Sequence, residues 1–371
     1  SPLEMREMHY HMEKALADGA CGVSLGLGYA PEIFYSTDGL IRALAPLHQS
    51  GVPICVHMRQ EGDGVVDALR EMIEVARALQ TPLEVSHLKA IGGRNARKAV
   101  PEMLSLIARA REEGLDVMCD AYPYTAGSTQ LIHVLPPEFQ AGGTETLTKR
   151  LRDCAAREEM RARMETGSDF ENITLLVGFE NVVAIGLRTD EYRRFEGKSI
   201  AEIALALGKD PYDALFDLLA AEKCEAGMID YISDEEDLKA ILRAPFSGVI
   251  SDATYPGTGQ VHPRVYGAFA RLIETYVVRE KVLTLEQAVH KVTLQAAERF
   301  SLAGKGKIEV GADADLLLFA PEKIRERGTY LAPRACASGF DEVFVLGERV
   351  IENGEYRGGS SGEMLGLRME Y

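Results

Sequence analysis

The sequences VPICVH at residues 52–57 and LEVSH at residues 83–87 are the strongest indication of the fold of this chain. Each is a short, mainly apolar and β-branched run that ends on a histidine, which is typical of a buried parallel strand. Between them, residues 64–79 carry apolar side chains at helical spacing. Two strands joined by a helix, each with a histidine at its carboxyl end, predict an α/β protein. The specific prediction is a (β/α)8 TIM-like barrel that presents metal ligands at its catalytic face.

Either histidine alone could be an ordinary polar residue at the end of a strand. The same residue recurs at the same place in successive strand–helix units, at positions 57 and 87, and this recurrence favours a shared function. Neutral imidazole is a good ligand for metal ions such as zinc. We therefore predict that His57 and His87 hold one metal ion.

The composition is that of a folded protein with a large core. Of 371 residues, 46% are hydrophobic and 26% are charged, as in ordinary globular proteins. The net charge of −16 argues against a nucleic-acid partner, because phosphate binding requires a surface rich in lysine and arginine. No apolar run approaches the roughly twenty residues of a membrane span. The six cysteines form no CxxC pair, so we predict reduced thiols and a cytoplasmic protein, which can be an oligomer.

Strands and helices alternate along the first third of the chain, which predicts a parallel sheet. The predicted strands lie near Val23, Val52, Leu83, Val117 and Val249. The irregular stretch at about residues 125–245 is long for a connection, so we predict a lid or substrate-binding insertion, with short strands at 173–177 and 182–186. The barrel portion with this insertion would comprise residues 1–302. Residues 303–371 would form part of a small β domain, with a hairpin turn at residues 352–355.

Five motifs follow this framework in order along the chain. They are HMRQEG at 57–62, SHLK at 86–89, DAYPY at 120–124, SD at 251–252 and GADADL at 311–316. Together they resemble the signatures of N-acyl-D-amino-acid deacylases (D-aminoacylases), which belong to the metal-dependent amidohydrolase superfamily. The resemblance implies that the five strands are barrel strands 4–8, and that an N-terminal segment supplies strands 1–3.

The resemblance also implies the composition of the metal site. The family's first strand carries a His-x-His pair and an early strand carries a cysteine ligand, and neither has a match at the corresponding place in this sequence. The pair His9 and His11 is no substitute, because its surroundings predict a helix, on which side chains two residues apart diverge. The strand at 22–29 contains no lysine and no carboxylate, which within the family favours one tightly bound zinc. Its ligands would be His57, His87 and the absent cysteine, with a second, weaker site in a complete enzyme.

Four further residues match positions that the family uses for catalysis and substrate binding. By this resemblance Asp252, at the end of the last strand, takes a proton from water and passes it to the leaving amine. Lys89, Tyr122 and Arg264 would bind the carboxylate of the product amino acid. Asp252 could instead be a turn or helix-cap residue, and Lys89 and Arg264 could be ordinary surface charges.

The function implied is zinc-dependent hydrolysis of the amide bond of N-acyl-D-amino acids, which gives a carboxylate and a free D-amino acid. A cyclic amidase of the dihydropyrimidinase or dihydroorotase type is an alternative, and the lysine-free strand argues against it. A non-catalytic scaffold on the same fold is another, and the joint presence of His57, His87 and Asp252 argues against that. The expected partner is a small-molecule substrate, with no nucleic acid and no membrane.

Overall fold

The computed structural model describes residues 1–254 and 259–365. The strands in these residues are β1 (Val23–Gly26), β2 (Ile54–His57), β3 (Leu83–Val85), β4 (Val117–Ala121), β5 (Ala126–Gln130), β6 (Val182–Ile185), β7 (Gly227–Tyr231), β8 (Ser247–Val249), β9 (Leu316–Phe319), β10 (Phe340–Val345), β11 (Glu348–Glu352) and β12 (Glu355–Tyr356). The α-helices are α1 (Pro2–Ala17), α2 (Thr37–Ala43), α3 (Val65–Leu79), α4 (Ala99–Glu112), α5 (Pro137–Gln140), α6 (Gly143–Arg150), α7 (Cys154–Thr166), α8 (Ile173–Val177), α9 (Ile200–Leu207), α10 (Pro211–Ala221), α11 (Glu235–Arg243), α12 (Arg264–Arg271), α13 (Leu285–Val292) and α14 (Leu294–Arg299).

The parallel sheet has the strand order β1-β2-β3-β4-β8, and these are the five predicted strands. One face of the sheet is apolar and packs against α3, α4 and α11. Fully buried residues of this face are Ile54, Val56, Leu83, Val85 and Val117. Side chains alternate between the faces of a strand, so the opposite face carries the register partners Ser24, Cys55 and Glu84.

Helix α3 joins the two strands that carry the histidines, as predicted. It begins after Gly64 and ends at Leu79, where Gln80 takes a left-handed backbone conformation. Its buried side includes Leu69 and Met72, which cover the apolar face of the sheet. Because β2 and β3 are paired in parallel, this unit places their carboxyl ends side by side.

The stretch predicted as an insertion contains a second sheet, which is antiparallel with the order β5-β7-β6. Helices α6, α7, α9 and α10 contribute to a separate hydrophobic core beside it.

The strand predicted at residues 182–186 is β6, but the strand predicted at residues 173–177 is wrong, because these residues form α8. The side chain of Asn172 caps α8 by accepting a hydrogen bond from the amide of Leu175. A short apolar run suits a strand or a helix, and here the cap stabilises the helix.

The C-terminal part is an antiparallel sheet with the order β12-β11-β10-β9. The predicted hairpin turn is confirmed between β11 and β12, where Asn353 and Gly354 have positive φ angles of 52° and 78°, as a type I′ turn requires. Of the predicted small β domain, residues 366–371 lie outside the described residues.

The five parallel strands form an open sheet. Within residues 1–254 and 259–365, β1 and β8 each have one edge without a neighbouring strand, so the predicted α/β class is observed but a closed barrel is not. None of the helices in the same residues has the length and apolar composition needed to cross a membrane.

Candidate metal and substrate site

A cavity of about 920 Å³ lies at the carboxyl ends of the parallel strands. The antiparallel sheet β5-β7-β6 forms its opposite wall. Lining residues include all six side chains predicted for the site: His57, His87, Lys89, Tyr122, Asp252 and Arg264. The carboxyl ends of parallel strands are where α/β proteins bind ligands, so the location is that of a functional site.

The two histidines lie at the ends of neighbouring strands and face each other. Nδ1 of His57 is 3.2 Å from Nε2 of His87, a distance that suits two ligands each about 2.0–2.1 Å from one zinc ion. His87 has a φ of +41°, which is rare outside glycine and typical of functional positions. Oδ1 of Asp120, on β4, accepts a hydrogen bond from the His87 amide at 2.6 Å and stabilises this conformation.

The surroundings of His57 keep its ring neutral and fixed in place. Burial lowers the pKa of His57 to about 3, so the ring is uncharged at neutral pH, as a metal ligand must be. The ring packs against Tyr29, with the ring centroids 4.5 Å apart. A Cβ atom at Gly28 would lie only 2.6 Å from Nε2 of His57, so the loop after β1 requires glycine there.

Glu61 joins the histidines to the buried lysine. Its Oε1 lies 3.1 Å from Nδ1 of His87, and its Oε2 lies 2.6 Å from Nζ of Lys89. Burial alone would raise the pKa of Glu61, but the charge of Lys89 and the hydrogen bond with His87 outweigh burial and hold the pKa below its usual range. No role was predicted for Glu61, and its place in the motif HMRQEG, four residues after His57, is the sequence signal that points to it.

Lys89 is a fixed positive charge inside the cavity and not a surface residue, since only 11% of its side chain is exposed. Burial lowers the pKa of Lys89, but the carboxylate of Glu61 outweighs this effect and raises the pKa above its usual range. Its Nζ lies 6.0 Å from the centre of the Tyr122 ring. Burial in turn raises the pKa of Tyr122 to about 12, so this phenol is neutral and can donate a hydrogen bond.

Asp252 and Arg264 form an ion pair beside Tyr122. Oδ2 of Asp252 lies 2.8 Å from Nη1 of Arg264, whose side chain is only 3% exposed. Arg264 stacks over the Tyr122 ring at 4.6 Å and donates a hydrogen bond from Nη2 to the carbonyl oxygen of Ser128 at 3.0 Å. The ring of His262 accepts a hydrogen bond from the Arg264 amide and donates one to Ala126. Asp252 has a φ of +48°, so it shares the unusual backbone conformation of His87.

Two further acidic residues that are buried in the cavity, Glu171 and Asp230, come from the insertion and were not predicted. Burial raises the pKa of Glu171 to about 8 and that of Asp230 to about 6. Oε2 of Glu171 accepts a hydrogen bond from the Glu61 amide at 2.6 Å, which ties the insertion to the loop after β2. Oδ1 of Asp230 has no hydrogen-bond partner within the described part of the chain. Neither residue stands in a motif, so no sequence signal distinguishes them from surface acids.

The side chains of His57, Glu61 and His87 carry donor atoms that suit a metal ion. One ligand atom from each of His57, Glu61 and His87 can be chosen so that all three lie within 4.8 Å of one another. Two imidazoles with a carboxylate on the far ring nitrogen are a common arrangement around zinc. His9 and His11 lie on the predicted helix, α1, and Nε2 of His9 contacts the carbonyl oxygen of Arg42.

A parallel sheet with histidines at the carboxyl ends of neighbouring strands is an arrangement found in metal-dependent hydrolases, and comparison with known proteins agrees with this class. The sequence model of the amidohydrolase family matches residues 103–350. The chain therefore belongs to the amidohydrolase family.

Two curated relatives indicate the branch of the family. D-aminoacylase of Alcaligenes xylosoxydans xylosoxydans is 30% identical over 365 residues, which are 98% of this chain and 64% of that protein. N-acyl-D-glutamate deacylase of the same organism is 31% identical over 353 residues, which are 94% of this chain and 61% of that protein. The resemblance to deacylases of N-acyl-D-amino acids is thus confirmed, and the chain spans less than two thirds of the length of these relatives.

Two solved structures share the fold. One is a D-aminoacylase that was studied for the role of its binuclear metal centre, with one-metal activation and second-metal attenuation. It superimposes with a TM-score of 0.78 and 30% identity, and the match covers 99% of this chain and 67% of that one. N-acyl-D-glutamate deacylase from Bordetella bronchiseptica, solved with zinc and a phosphonate inhibitor that mimics the tetrahedral intermediate, gives a TM-score of 0.76 with 28% identity, covering 94% of this chain and 64% of that one.

Proposed function

We propose that this chain carries the zinc site and proton-transfer group of a deacylase that hydrolyses N-acyl-D-amino acids to a carboxylate and a free D-amino acid. The observation that carries the proposal is the 3.2 Å distance between Nδ1 of His57 and Nε2 of His87, inside a cavity that also holds Lys89 and Asp252. The similarity to D-aminoacylase over 98% of the chain supports the substrate class.

The metal would be held by His57 and His87. Glu61 would orient His87 through its Nδ1 atom, as carboxylates behind zinc-bound histidines do. Zinc would supply Lewis-acid chemistry, since it polarises an amide carbonyl and makes water a stronger acid. We propose one tightly bound ion, with a second, weaker site in a complete enzyme.

Asp252 would move the proton during hydrolysis. Its side chain is 34% exposed and one of its oxygens is held by Arg264, so the orientation of the carboxylate in the cavity is fixed. The carboxylate would accept a proton from the attacking water and then donate it to the amide nitrogen as the C–N bond breaks.

Lys89, Tyr122 and Arg264 would bind the α-carboxylate of the substrate. Two cations and a neutral phenol lie around one part of the cavity, with Arg264 over the Tyr122 ring at 4.6 Å. A guanidinium and a phenol donate well-directed hydrogen bonds to a carboxylate. A carboxylate fixed there would present the neighbouring amide to the metal site.

The finer architecture also belongs to the proposal. We infer that residues 1–302 are part of a (β/α)8 barrel with a substrate-binding insertion at about 125–245, and that residues 303–371 are part of a small β domain. The open edges of β1 and β8 support three further strands from an N-terminal segment, because a barrel of this type has eight. A cytoplasmic location stays a prediction.

The test is zinc content together with hydrolysis. Together with a polypeptide that supplies the three further strands, the zinc-loaded protein should hold about one tightly bound zinc and cleave N-acetyl-D-leucine but not its L enantiomer. Cleavage of dihydrouracil in preference to either would identify a cyclic amidase, and a protein that binds no zinc would support the scaffold alternative. Any of these results would contradict the proposal.

Asp252→Asn separates metal binding from proton transfer. Because His57 and His87 remain, zinc content should not change, whereas kcat should fall about 10²–10⁴-fold. Asp190→Asn is the matched control, since the Asp190 side chain is fully exposed (100%) and both quantities should stay unchanged. Near-normal turnover by Asp252→Asn would show that another group moves the proton.

A further inference from the structure

Among the described residues that line the cavity, every lysine and arginine already forms an ion pair with a carboxylate of the protein. The side chains of these types that line it are Lys89, Arg188 and Arg264. Lys89 is paired with Glu61 and Arg264 with Asp252, at 2.6 and 2.8 Å. Residues 255–258, which follow Thr254 in the sequence and lie outside the described residues, have the sequence YPGT and contain neither lysine nor arginine.

Arg188 lies at the rim and is a weak partner for a ligand. It forms an ion pair with Glu225, and 64% of the Arg188 side chain is exposed. A charge in this position is screened by water and is already neutralised, so it contributes little to the binding of a further carboxylate.

The acidic groups of the cavity outnumber these cations. Glu171 and Asp230 are buried there in addition to Glu61 and Asp252. No ion pair holds Glu171 or Asp230 to a cation among the described residues. A ligand carboxylate brought close to Asp230, which is mostly ionised at neutral pH because its pKa is about 6, would meet like charge and would lose its hydration without gaining a cation. Glu171, with a pKa of about 8, is mostly neutral at this pH and supplies no positive charge.

The wall that the insertion contributes is apolar. Its members in the cavity include Leu135, Pro137, Phe170, Ile173 and Ile185, and four of them are at most 6% exposed: Leu135, Phe170, Ile173 and Ile185. This wall can bury an apolar side chain, which is favourable in proportion to the area removed from water.

We propose that the cavity selects N-acyl-D-amino acids with uncharged, apolar side chains, and discriminates against D-glutamate and D-aspartate derivatives. This inference rests on the proposed deacylase function. The α-carboxylate of the substrate occupies Lys89, Tyr122 and Arg264. Among the described residues of the cavity, a second carboxylate on the side chain then meets the apolar wall, the buried acids or Arg188 at the rim.

N-acetyl-D-glutamine and N-acetyl-D-glutamate test the charge alone, because they have the same size. We expect kcat/KM for the glutamate derivative to be at least about tenfold lower than for the glutamine derivative, since a buried charge without a partner is strongly disfavoured. N-acetyl-D-leucine and N-acetyl-D-methionine should be better substrates than either. Equal or faster cleavage of the glutamate derivative would overturn the inference.

Binding separates this inference from the proposed function. Dissociation constants of the same four compounds, measured by calorimetry on zinc-loaded Asp252→Asn, should follow the same order without any turnover. The expected binding order without hydrolysis by the parent protein would contradict the deacylase function and still support the selectivity of the cavity. Tighter binding of the glutamate derivative would overturn the selectivity.

The variant Arg188→Gln tests whether Arg188, at the rim of the cavity, contributes to recognition of the substrate's side chain. The ratio of kcat/KM for the glutamine and glutamate derivatives should change by less than about twofold, because Arg188 is exposed and paired with Glu225. A selective loss of activity on the glutamate derivative would show that Arg188 binds acidic side chains, and would contradict the inference.

Discussion

At the scale of single residues, Glu61 contacts both a proposed metal ligand and a proposed substrate-binding cation. One buried carboxylate holds Nδ1 of His87 and Nζ of Lys89, so it fixes a proposed metal ligand and a proposed substrate-binding cation together. A buried cation that loses its carboxylate is strongly destabilising. The metal site and the substrate site are therefore expected to fail together when Glu61 is changed.

Glu61→Gln should weaken zinc binding about 10–100-fold, because a neutral amide orients and polarises His87 less well. It should also lower the free energy of unfolding by about 3 kcal/mol, because Lys89 stays buried without its partner. Zinc competition with a chelator measures the first effect and urea denaturation the second.

The control for this variant is Glu71→Gln. Glu71 pairs with Arg59 at 2.9 Å and is 14% exposed, but it does not line the cavity, so only stability should change. Unaltered zinc affinity in Glu61→Gln would show that Glu61 has no part in orienting His87.

Asp230 gives a prediction for the pH dependence of stability. Burial raises its pKa from 3.8 to about 6, so the folded state binds this proton more tightly than the unfolded state. Its contribution to stability is present in full below pH 3.8 and is lost as the pH rises through about 6. The loss amounts to about 3 kcal/mol.

Asp230→Asn removes the titrating carboxyl group, so the free energy of unfolding should change less between pH 4 and pH 8 than it does in the parent protein. Denaturation by urea at several pH values measures it, with Asp190→Asn as an exposed control that should follow the parent. A variant curve parallel to that of the parent would show that Asp230 titrates normally.

At the scale of structural elements, the loop after β1 positions His57. A Cβ atom at Gly28 would lie 2.6 Å from Nε2 and 2.9 Å from Cδ2 of His57, closer than real contacts allow. Gly28→Ala should therefore displace the ring and weaken zinc binding about tenfold or more, since ligand geometry sets the affinity.

Gly93→Ala is the matched control for Gly28→Ala. A Cβ atom at Gly93 would meet nothing within 4 Å, so zinc affinity should stay as in the parent. Zinc titration of both variants measures the difference. Equal affinities would show that the His57 ring can move without cost to the site.

The elements that the sequence could predict are those with apolar strands and long amphipathic helices. Strands β2 and β3 are short apolar runs, and helix α3 carries apolar residues at helical spacing. Both patterns are typical of buried elements. Strand β5 has the sequence AGSTQ, which lacks alternating apolar residues, and it forms because β7 pairs with it. The same limit applies to Glu61, Glu171 and Asp230, because their roles depend on contacts between distant segments and not on local spacing.

At the scale of the whole molecule, the open edges of the parallel sheet connect the fold with the metal site. Within the described residues, β1 has a single strand neighbour, and its Ser24 is exposed on the polar face next to Cys55. Unpaired strand edges expose backbone N–H and C=O groups that can form hydrogen bonds with a further strand. The relatives extend beyond the match, which covers 64% of D-aminoacylase.

We therefore expect residues 1–371 by themselves to bind zinc weakly and to hydrolyse substrate poorly. A polypeptide that supplies three further strands and a cysteine ligand should restore zinc affinity and activity together, because the same segment closes the sheet and completes the metal site. Zinc titration and hydrolysis of N-acetyl-D-leucine, with and without that polypeptide, measure both. A segment with the cysteine changed to serine is the control and should restore folding but not metal affinity. Full activity of residues 1–371 alone would instead show that Glu61 or another described residue completes the ligand set.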